Sequence, residues 1–338
     1  MKPSLYFGIL AATAFGVEAA AVTGRGGNGG GNTAIRNVFT FPPNHFIENI
    51  AVRSNSKLLI TSMSVNQLWS IDPTVANPTA TVIHTFSNST GISGIAEITP
   101  DLFALVTGEW DLANTRAYLG TLQVWTVDFT KHPNPQVKFV TGIANSTIFN
   151  GVARHPTNPR LLLAADSAIG AVWRVDLMTG AYGVAFSSPL LTPTGTAPGT
   201  HLGINGLRSA LPSHLYFTNS AQKFFGKVAV DWNGNQAGAI QVISNSTVAG
   251  ADVVYDDIAV RRTGTGTVWI ASHPDYAIGV SLANGSQQVI KNSTMLLNPT
   301  SAAFGRGSWK EEKTLYITNG GEFVGMDLVN EGVVAIDL

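Results

Sequence analysis

Cysteine is absent from all 338 residues. That excludes disulfide staples, thiol nucleophiles and cysteine-held zinc. Charge is scarce as well: 20 Lys and Arg stand against 21 Asp and Glu, 12% of the chain, for a formal net charge of −1. No basic patch or charged tail stands out, so neither nucleic acid nor an anionic membrane is an expected partner. Helical periodicity is missing too: beyond the N-terminal segment, no stretch of roughly ten residues repeats its apolar positions every 3.6. The one long apolar run, Leu5 to Val17, is shorter than a membrane span. It follows Lys2 and precedes Ala19-Ala20-Ala21, an order that predicts a signal peptide over residues 1–21. A Gly-rich segment, residues 22–32, reads as a flexible linker.

The chain is thus expected to be secreted or to work in the lumen of the secretory pathway, with no membrane attachment after cleavage. Five glycosylation sequons fit that route, at Asn88, Asn145, Asn245, Asn284 and Asn292. Asn298 is excluded because Pro299 follows it. A secreted chain with no disulfide must rely on its core, and 44% hydrophobic residues supply one.

What the chain does have is repetition. A short pattern begins at Glu48-Asn49-Ile50-Ala51 and recurs from Ser93, Asn150, Asn205, Asp256 and Thr300. The spacings are 45, 57, 55, 51 and 44 residues, the range of propellers and solenoids. After each start comes an apolar run such as Leu58-Leu59-Ile60 or Leu215-Tyr216-Phe217. An alternating segment follows, often ending in Asp, as in Trp69-Ser70-Ile71-Asp72. A fourth apolar piece such as Ile240-Gln241-Val242-Ile243 usually completes the unit. Short β-branched and aromatic runs separated by Gly, Pro, Asn and Asp are strands. Four strands repeated six times predict an all-β, six-bladed β-propeller over residues 33–338, a single domain. The last repeat stops after its third strand, while Ile35 to Phe41 has no repeat of its own. The N-terminal strand is therefore expected to pair into blade six and close the ring, leaving no long edge.

The first strand of a blade lines the central channel, so the six starts should present a ring of side chains at one mouth. Glu48, Asn150, Asn205 and Asp256 are oxygen donors of the kind that hold Ca²⁺ or Mg²⁺. For any single position turn capping is the simpler explanation. Convergence of four on one axis is not something turns require. Without a cation, Glu48 and Asp256 would repel each other, and one would hold a raised pKa and serve as a general acid.

These starts resemble the senescence-marker-protein, gluconolactonase and luciferin-regenerating-enzyme superfamily of six-bladed propellers. The resemblance implies a divalent-metal site: Glu48 opening blade one, Asn205 in Ile204-Asn205-Gly206-Leu207, Asp256 in a later blade, and Asn150 in Phe149-Asn150-Gly151 as the further Asn. The Gly and Pro usual after the family's Glu are replaced by Asn49 and Ile50. No organic cofactor is implied. Loops between second and third strands should stand at the same mouth, carrying Met63, Glu109-Trp110, Phe224-Phe225, His273, Tyr276 and Phe323, with His45 and His201 just before two of the starts. Packing within the loops is an equal explanation for the aromatics. As a set they describe a partly apolar pocket with a polar floor, suited to a small hydrophobic substrate.

Phrases such as Gly203-Ile204-Asn205-Gly206-Leu207-Arg208 and Leu215-Tyr216-Phe217-Thr218-Asn219-Ser220 make the chain similar in style to secreted fungal propellers of natural-product pathways. That likeness implies an intermolecular hetero-Diels–Alder cyclase joining a tropolone-derived quinone methide to a humulene-type terpene. Glu48, Asp256, Asn205 and His201 are then the candidate catalytic residues. Trp110, Phe149, Phe224 and Tyr276, with His273, are the candidate substrate-binding residues. A metal-dependent lactonase or esterase and a non-catalytic binding propeller remain the alternatives.

Overall fold

Period-two alternation of Val, Ile, Leu and aromatic residues, broken by turns rich in Asn, Asp, Gly and Pro, produces strands and almost nothing else. The computed structural model describes residues 34–130, 134–197, 200–248, 253–261 and 263–338. The expected signal peptide and linker, residues 1–21 and 22–32, lie outside the described residues. Six antiparallel four-stranded sheets stand around one axis as the blades of a propeller. Their inner strands are Ile47–Val52, Gly91–Thr99, Phe149–Arg154, Ile204–Ala210, Val254–Ala259 and Pro299–Phe304. Each inner strand neighbours that of the next blade, and the sixth returns to the first.

Closure uses the N-terminal strand. Ile35–Thr40 pairs antiparallel with the C-terminal strand Gly332–Asp337, with Ile35 opposite Ile336 and Thr40 opposite Gly332. Just beyond it, the Phe41 ring lies edge-on to Trp69 of blade one at 5.1 Å. The N-terminus thus fills the vacancy in blade six and stitches that blade to its neighbour. Burial falls from axis to rim: Ile47–Val52 is buried along its whole length, while the outer strand Ala80–Thr85 of the same blade has no buried residue. Two short hairpins, Trp110–Asp111 with Arg116–Ala117 and Glu322–Val324 with Asp327–Val329, extend the loops of blades two and six. Among the described residues no helix is long and apolar enough to cross a membrane.

Every inner strand carries a β-bulge at its start. In blade one the pairing jumps from Ile47↔Ser62 to Ile50↔Ile60, so Glu48 and Asn49 together oppose one residue. The same irregularity falls at the start of the other five inner strands. A bulge re-aims side chains and frees a backbone N–H. In blades one, four and six that N–H is satisfied by threonine: Asn49 N donates to Thr61 Oγ1 at 3.0 Å, Gly206 N to Thr218 Oγ1 at 2.9 Å, and Ser301 N to Thr318 Oγ1 at 2.9 Å. Thr61 and Thr218 pass the bond on to the next blade, donating to Ser93 O at 2.8 Å and Asp256 O at 2.6 Å. Ser93, Ser167, Ser220 and Thr300 make similar blade-to-blade bonds of 2.6–2.9 Å.

Candidate active site

Consecutive residues of a regular strand face opposite ways. The bulge breaks that rule and turns the first two residues of a repeat toward the axis. Upper and lower below denote the ends of the channel nearer the start and the end of the inner strands. Nearest the upper mouth are Glu48, Asn150, Asn205 and Asp256, all between 2% and 7% exposed. Burial pushes the Glu48 carboxyl well above the usual carboxylate range, and the nearby charges of Asp256 and Asp257 push it further. Asp256 is raised as well, first by burial, against the lowering effect of a hydrogen bond from His273. His273 Nε2 lies 3.1 Å from Asp256 Oδ2. The two carboxyls are therefore buried near each other, and each raises the cost of ionising the other.

Asn205 is oriented by donating from Nδ2 to Ser220 Oγ at 2.9 Å, and Ser220 in turn donates to Tyr255 O at 2.6 Å. Asn205 lies close enough to Asp256 to oppose part of the rise in its pKa. Three buried oxygens are left without a partner: Asn150 Oδ1, Asn205 Oδ1 and Asp256 Oδ1. Orphaned buried acceptors are costly, and acceptor oxygens from amides and carboxylates are the donor set of Ca²⁺ and Mg²⁺. These residues fit such an ion. Among the described residues no three His, Asp or Glu side chains come together in a metal-holding group, so the ion would rest on amides as much as on carboxylates.

The second residue of each bulge builds a different structure one step down the channel. Asp257 Oδ2 accepts from Asn49 Nδ2 at 2.8 Å and from Ser301 Oγ at 3.0 Å, and pairs with Arg208 at 2.7 Å. Arg208 NH2 also reaches Ser301 Oγ at 3.2 Å. This buried cluster closes the waist of the channel. On the opposite side, blades two to four carry Gly94, Gly151 and Gly206 at the matching position, and a Cβ there would fall 2.4–2.6 Å from the next blade's inner strand. Backbone meets backbone on one side of the ring, and a polar plug fills the other.

Arg208 was not among the residues singled out from sequence, although a signal for it exists. The fourth residue of the repeat is Ala51, Ala96, Ala153, Ala259 and Ala303 in five copies and Arg208 in the sixth.

The remaining expectations divide. His273 is in the site. Tyr276 is half-buried near the same mouth, with the Lys291 ammonium 5.2 Å from its ring. His201 is half-exposed, and its ring bonds the Ala197 carbonyl at 3.2 Å rather than Glu48 or Asp256. Ser93 and Thr300 spend their hydroxyls on the carbonyls of Phe149 and Ile47, so only four of the six starts offer groups to a ligand. Phe149 and Phe224 are corrected outright. Phe149 is 0% exposed and packs on Trp173 at 5.6 Å; Phe224 packs edge-on to Phe217 at 5.8 Å. Both fill the space between blades: strand alternation sends Phe149, which flanks axis-facing Asn150, into the sheet interface, and Phe224 of a third strand joins the cluster between blades three and four. Trp110 is buried too, in one apolar cluster with Met63 and Ile148. Asn88, Asn145, Asn245 and Asn284 are exposed and Asn292 half-exposed, all five on loops or strand ends.

No protein-family model matches the chain. A protein of Sarocladium schorii provisionally named hetero-Diels–Alderase asR5 is 25% identical over 312 residues, 84% of this chain and 77% of that protein. A Phoma protein, provisionally named a hetero-Diels–Alderase, is 24% identical over 307 residues, 82% of this chain and 84% of its own length. Among solved structures, a luciferin-regenerating enzyme superposes with a TM-score of 0.63 at 12% identity, covering 90% of this chain and 95% of that one. The chain is a six-bladed propeller with the architecture of the luciferin-regenerating enzyme, and its sequence is similar to two proteins provisionally named hetero-Diels–Alderases.

Proposed function

We propose that the chain is a hetero-Diels–Alder cyclase of fungal secondary metabolism, joining a tropolone-derived quinone methide to a humulene-type terpene at the upper mouth of the channel. The observation that carries the reading is the buried Glu48–Asp256 carboxyl pair at the floor of that mouth, in a chain similar to two proteins with this provisional name. Half-exposed Phe46, Leu202 and Tyr276 come from the loops at that mouth and supply apolar contact, in place of Phe149 and Phe224. Raised above the usual carboxylate range, Glu48 keeps its proton to higher pH than an exposed carboxyl and serves as the proton donor. Its proton leaves with the hydroxyl of a hydroxymethyl tropolone as water, and the ring hydroxyl returns a proton to the carboxylate. The resulting quinone methide adds its oxygen and exocyclic carbon across the alkene. One C–O and one C–C bond form, with no net proton transfer. Holding diene and alkene in register supplies about 7–11 kcal/mol of the barrier when orientation is well controlled. Asn150 and Asn205 present carbonyl oxygens, and His273 holds Asp256 in place. A divalent ion held by Glu48, Asn150, Asn205 and Asp256 would act as a Lewis acid toward a bound oxygen.

The unpartnered amide oxygens favour one second reading, a metal-dependent lactonase or esterase with the same four ligands. Incubating the purified chain with a hydroxymethyl tropolone and humulene separates the two. The cyclase reading expects a one-to-one adduct less water, formed faster and with tighter stereochemistry than without protein, and lost in Glu48→Gln. Equal yield and isomer ratio without protein would overturn it. Chelator-sensitive hydrolysis of δ-gluconolactone, with no adduct, would establish the second reading instead.

A further inference from the structure

On the lower side of the ring, blades three and four enclose a cleft of about 630 Å³, within the size range of small-molecule sites. Trp232 of blade four lines it and is 60% exposed. That exposure breaks the repeat. In blades two, three and five the residue just after the third strand, Phe129, Leu177 or Leu282, turns inward and packs on a core cluster. Trp232 holds the matching place after Asp231 and is turned out. Tryptophan is mostly buried on average, and an exposed one rimmed by polar groups marks a binding groove.

The turn that carries the indole is held on two sides. From within, Asp231 Oδ1 accepts from the backbone N–H of Asn233 and of Asn235, each at 2.9 Å, and Asp231 Oδ2 accepts from Asn235 Nδ2 at 3.1 Å. From blade three, Asn158 Nδ2 donates to Trp232 O at 3.0 Å, and Arg174 NH1 donates to Asn235 Oδ1 at 2.5 Å and to Asn233 O at 3.4 Å. These bonds fix the backbone and the asparagines and leave the ring projecting. Across the cleft, Arg160 NH2 pairs with Asp176 Oδ2 at 2.7 Å. A guanidinium has five N–H donors, so Arg160 and Arg174 keep donors to offer after these bonds are made. Asp176 adds acceptor oxygens. A flat apolar face flanked by planar, oriented polar groups suits a pyranose: axial C–H groups lie on the indole while hydroxyls at the ring edge reach donors and acceptors. A sugar with every substituent equatorial presents the whole of that face.

We propose that this cleft is a carbohydrate-binding site, taking a β-linked chain of glucopyranose or N-acetylglucosamine units, with Trp232 as the stacking platform and Arg160, Arg174 and Asp176 as hydroxyl partners. It lies outside the channel and does not depend on what the upper mouth catalyses.

Calorimetric titration of the full chain with cellotetraose and with chitotetraose tests this. Saturable binding is expected. Binding of cellotetraose alone assigns the cleft to plain glucose units, of chitotetraose alone to the acetamido sugar, and of both to the ring they share. Trp232→Ala, a change at an exposed position, should weaken binding about tenfold or more, and Trp232→Phe, which keeps an aromatic face, about threefold. Arg174→Met should weaken it about tenfold. Glu48→Gln, at the upper mouth, should bind as the wild type does. Sorbitol, which carries hydroxyls without a ring, should not saturate the protein. No saturable binding of either tetrasaccharide, undiminished binding in Trp232→Ala, equal binding of sorbitol, or loss of binding in Glu48→Gln would each overturn the proposal.

Discussion

Asp256 and Asp257 are neighbours in one bulge, yet they belong to two different regions of the channel. Asp257 is enclosed by Arg208, Asn49 and Ser301, which all bond the same carboxylate oxygen. Asp256 has His273 on one oxygen, the other oxygen orphaned, and a second carboxyl nearby. The waist is a satisfied network, while the upper floor is left in deficit. Buried polar groups that are fully paired hold a structure in one arrangement. Groups that are buried and under-paired are where a ligand makes up the difference, which is why the upper floor reads as a site and the waist as a plug.

Cutting the waist should have the largest effect. Arg208→Ala strands the Asp257 charge in a dry position, and breaking a buried pair from one side costs about 3–5 kcal/mol, at the lower end here because Arg208 is partly exposed. Denaturant unfolding would read it as a lower midpoint at unchanged slope. The matching cut in the upper floor should spare the fold: Glu48→Gln is expected to lower adduct formation about 100-fold, the contribution of a positioned acid. If Glu48→Gln instead destabilises the chain as much as Arg208→Ala, the two regions are not of different kinds.

A pH series sharpens the contrast. The folded-state pKa of Glu48 lies above its unfolded value, so its contribution to stability is complete in acid and is lost as pH rises through the folded pKa. With any metal chelated, the melting temperature of the wild type should therefore fall as pH climbs from the ordinary carboxylate range toward neutrality and beyond. In Glu48→Gln the curve should be flatter; equal slopes for the two proteins would refute the buried-acid description. The smallest effect is expected where the two regions join. Thr218→Val frees the Gly206 N–H and the Asp256 carbonyl acceptor together, a loss of about 1–3 kcal/mol in unfolding free energy.

The propeller was legible because its signals are local. Period-two runs between Asn, Asp, Gly and Pro mark strands wherever they occur, and six starts at propeller spacing count the blades. The incomplete last repeat and the orphan run at Ile35–Thr40 even located the closure, since an unpaired edge must be covered. The four oxygen donors could be named for the same reason: they hold one place in every copy. The pocket wall could not. Phe149 stands next to Asn150 in sequence, and Phe224 starts a third strand just after a loop of the upper mouth, which made both look available. Which face of a strand meets a neighbouring blade and which meets the channel depends on the bulge and on blade packing, and neither leaves a mark in residue type. Arg208 lay in plain view as the one exception to a column of alanines, but its partner Asp257 is fixed only when blades four and five are brought side by side.

Composition and repetition by themselves therefore determined a disulfide-free ring of six four-stranded blades, sealed by its own N-terminus, with Glu48, Asn150, Asn205 and Asp256 at equivalent places. Those follow from steric and hydrophobic preferences that each short segment carries alone. Only the tertiary structure decided that the first and second residues of the repeat serve different purposes, that the channel is divided at its waist, and that the Trp232 indole stands in a cleft between blades three and four. Those depend on distances between blades, and a distance across a closed ring belongs to no segment of the chain.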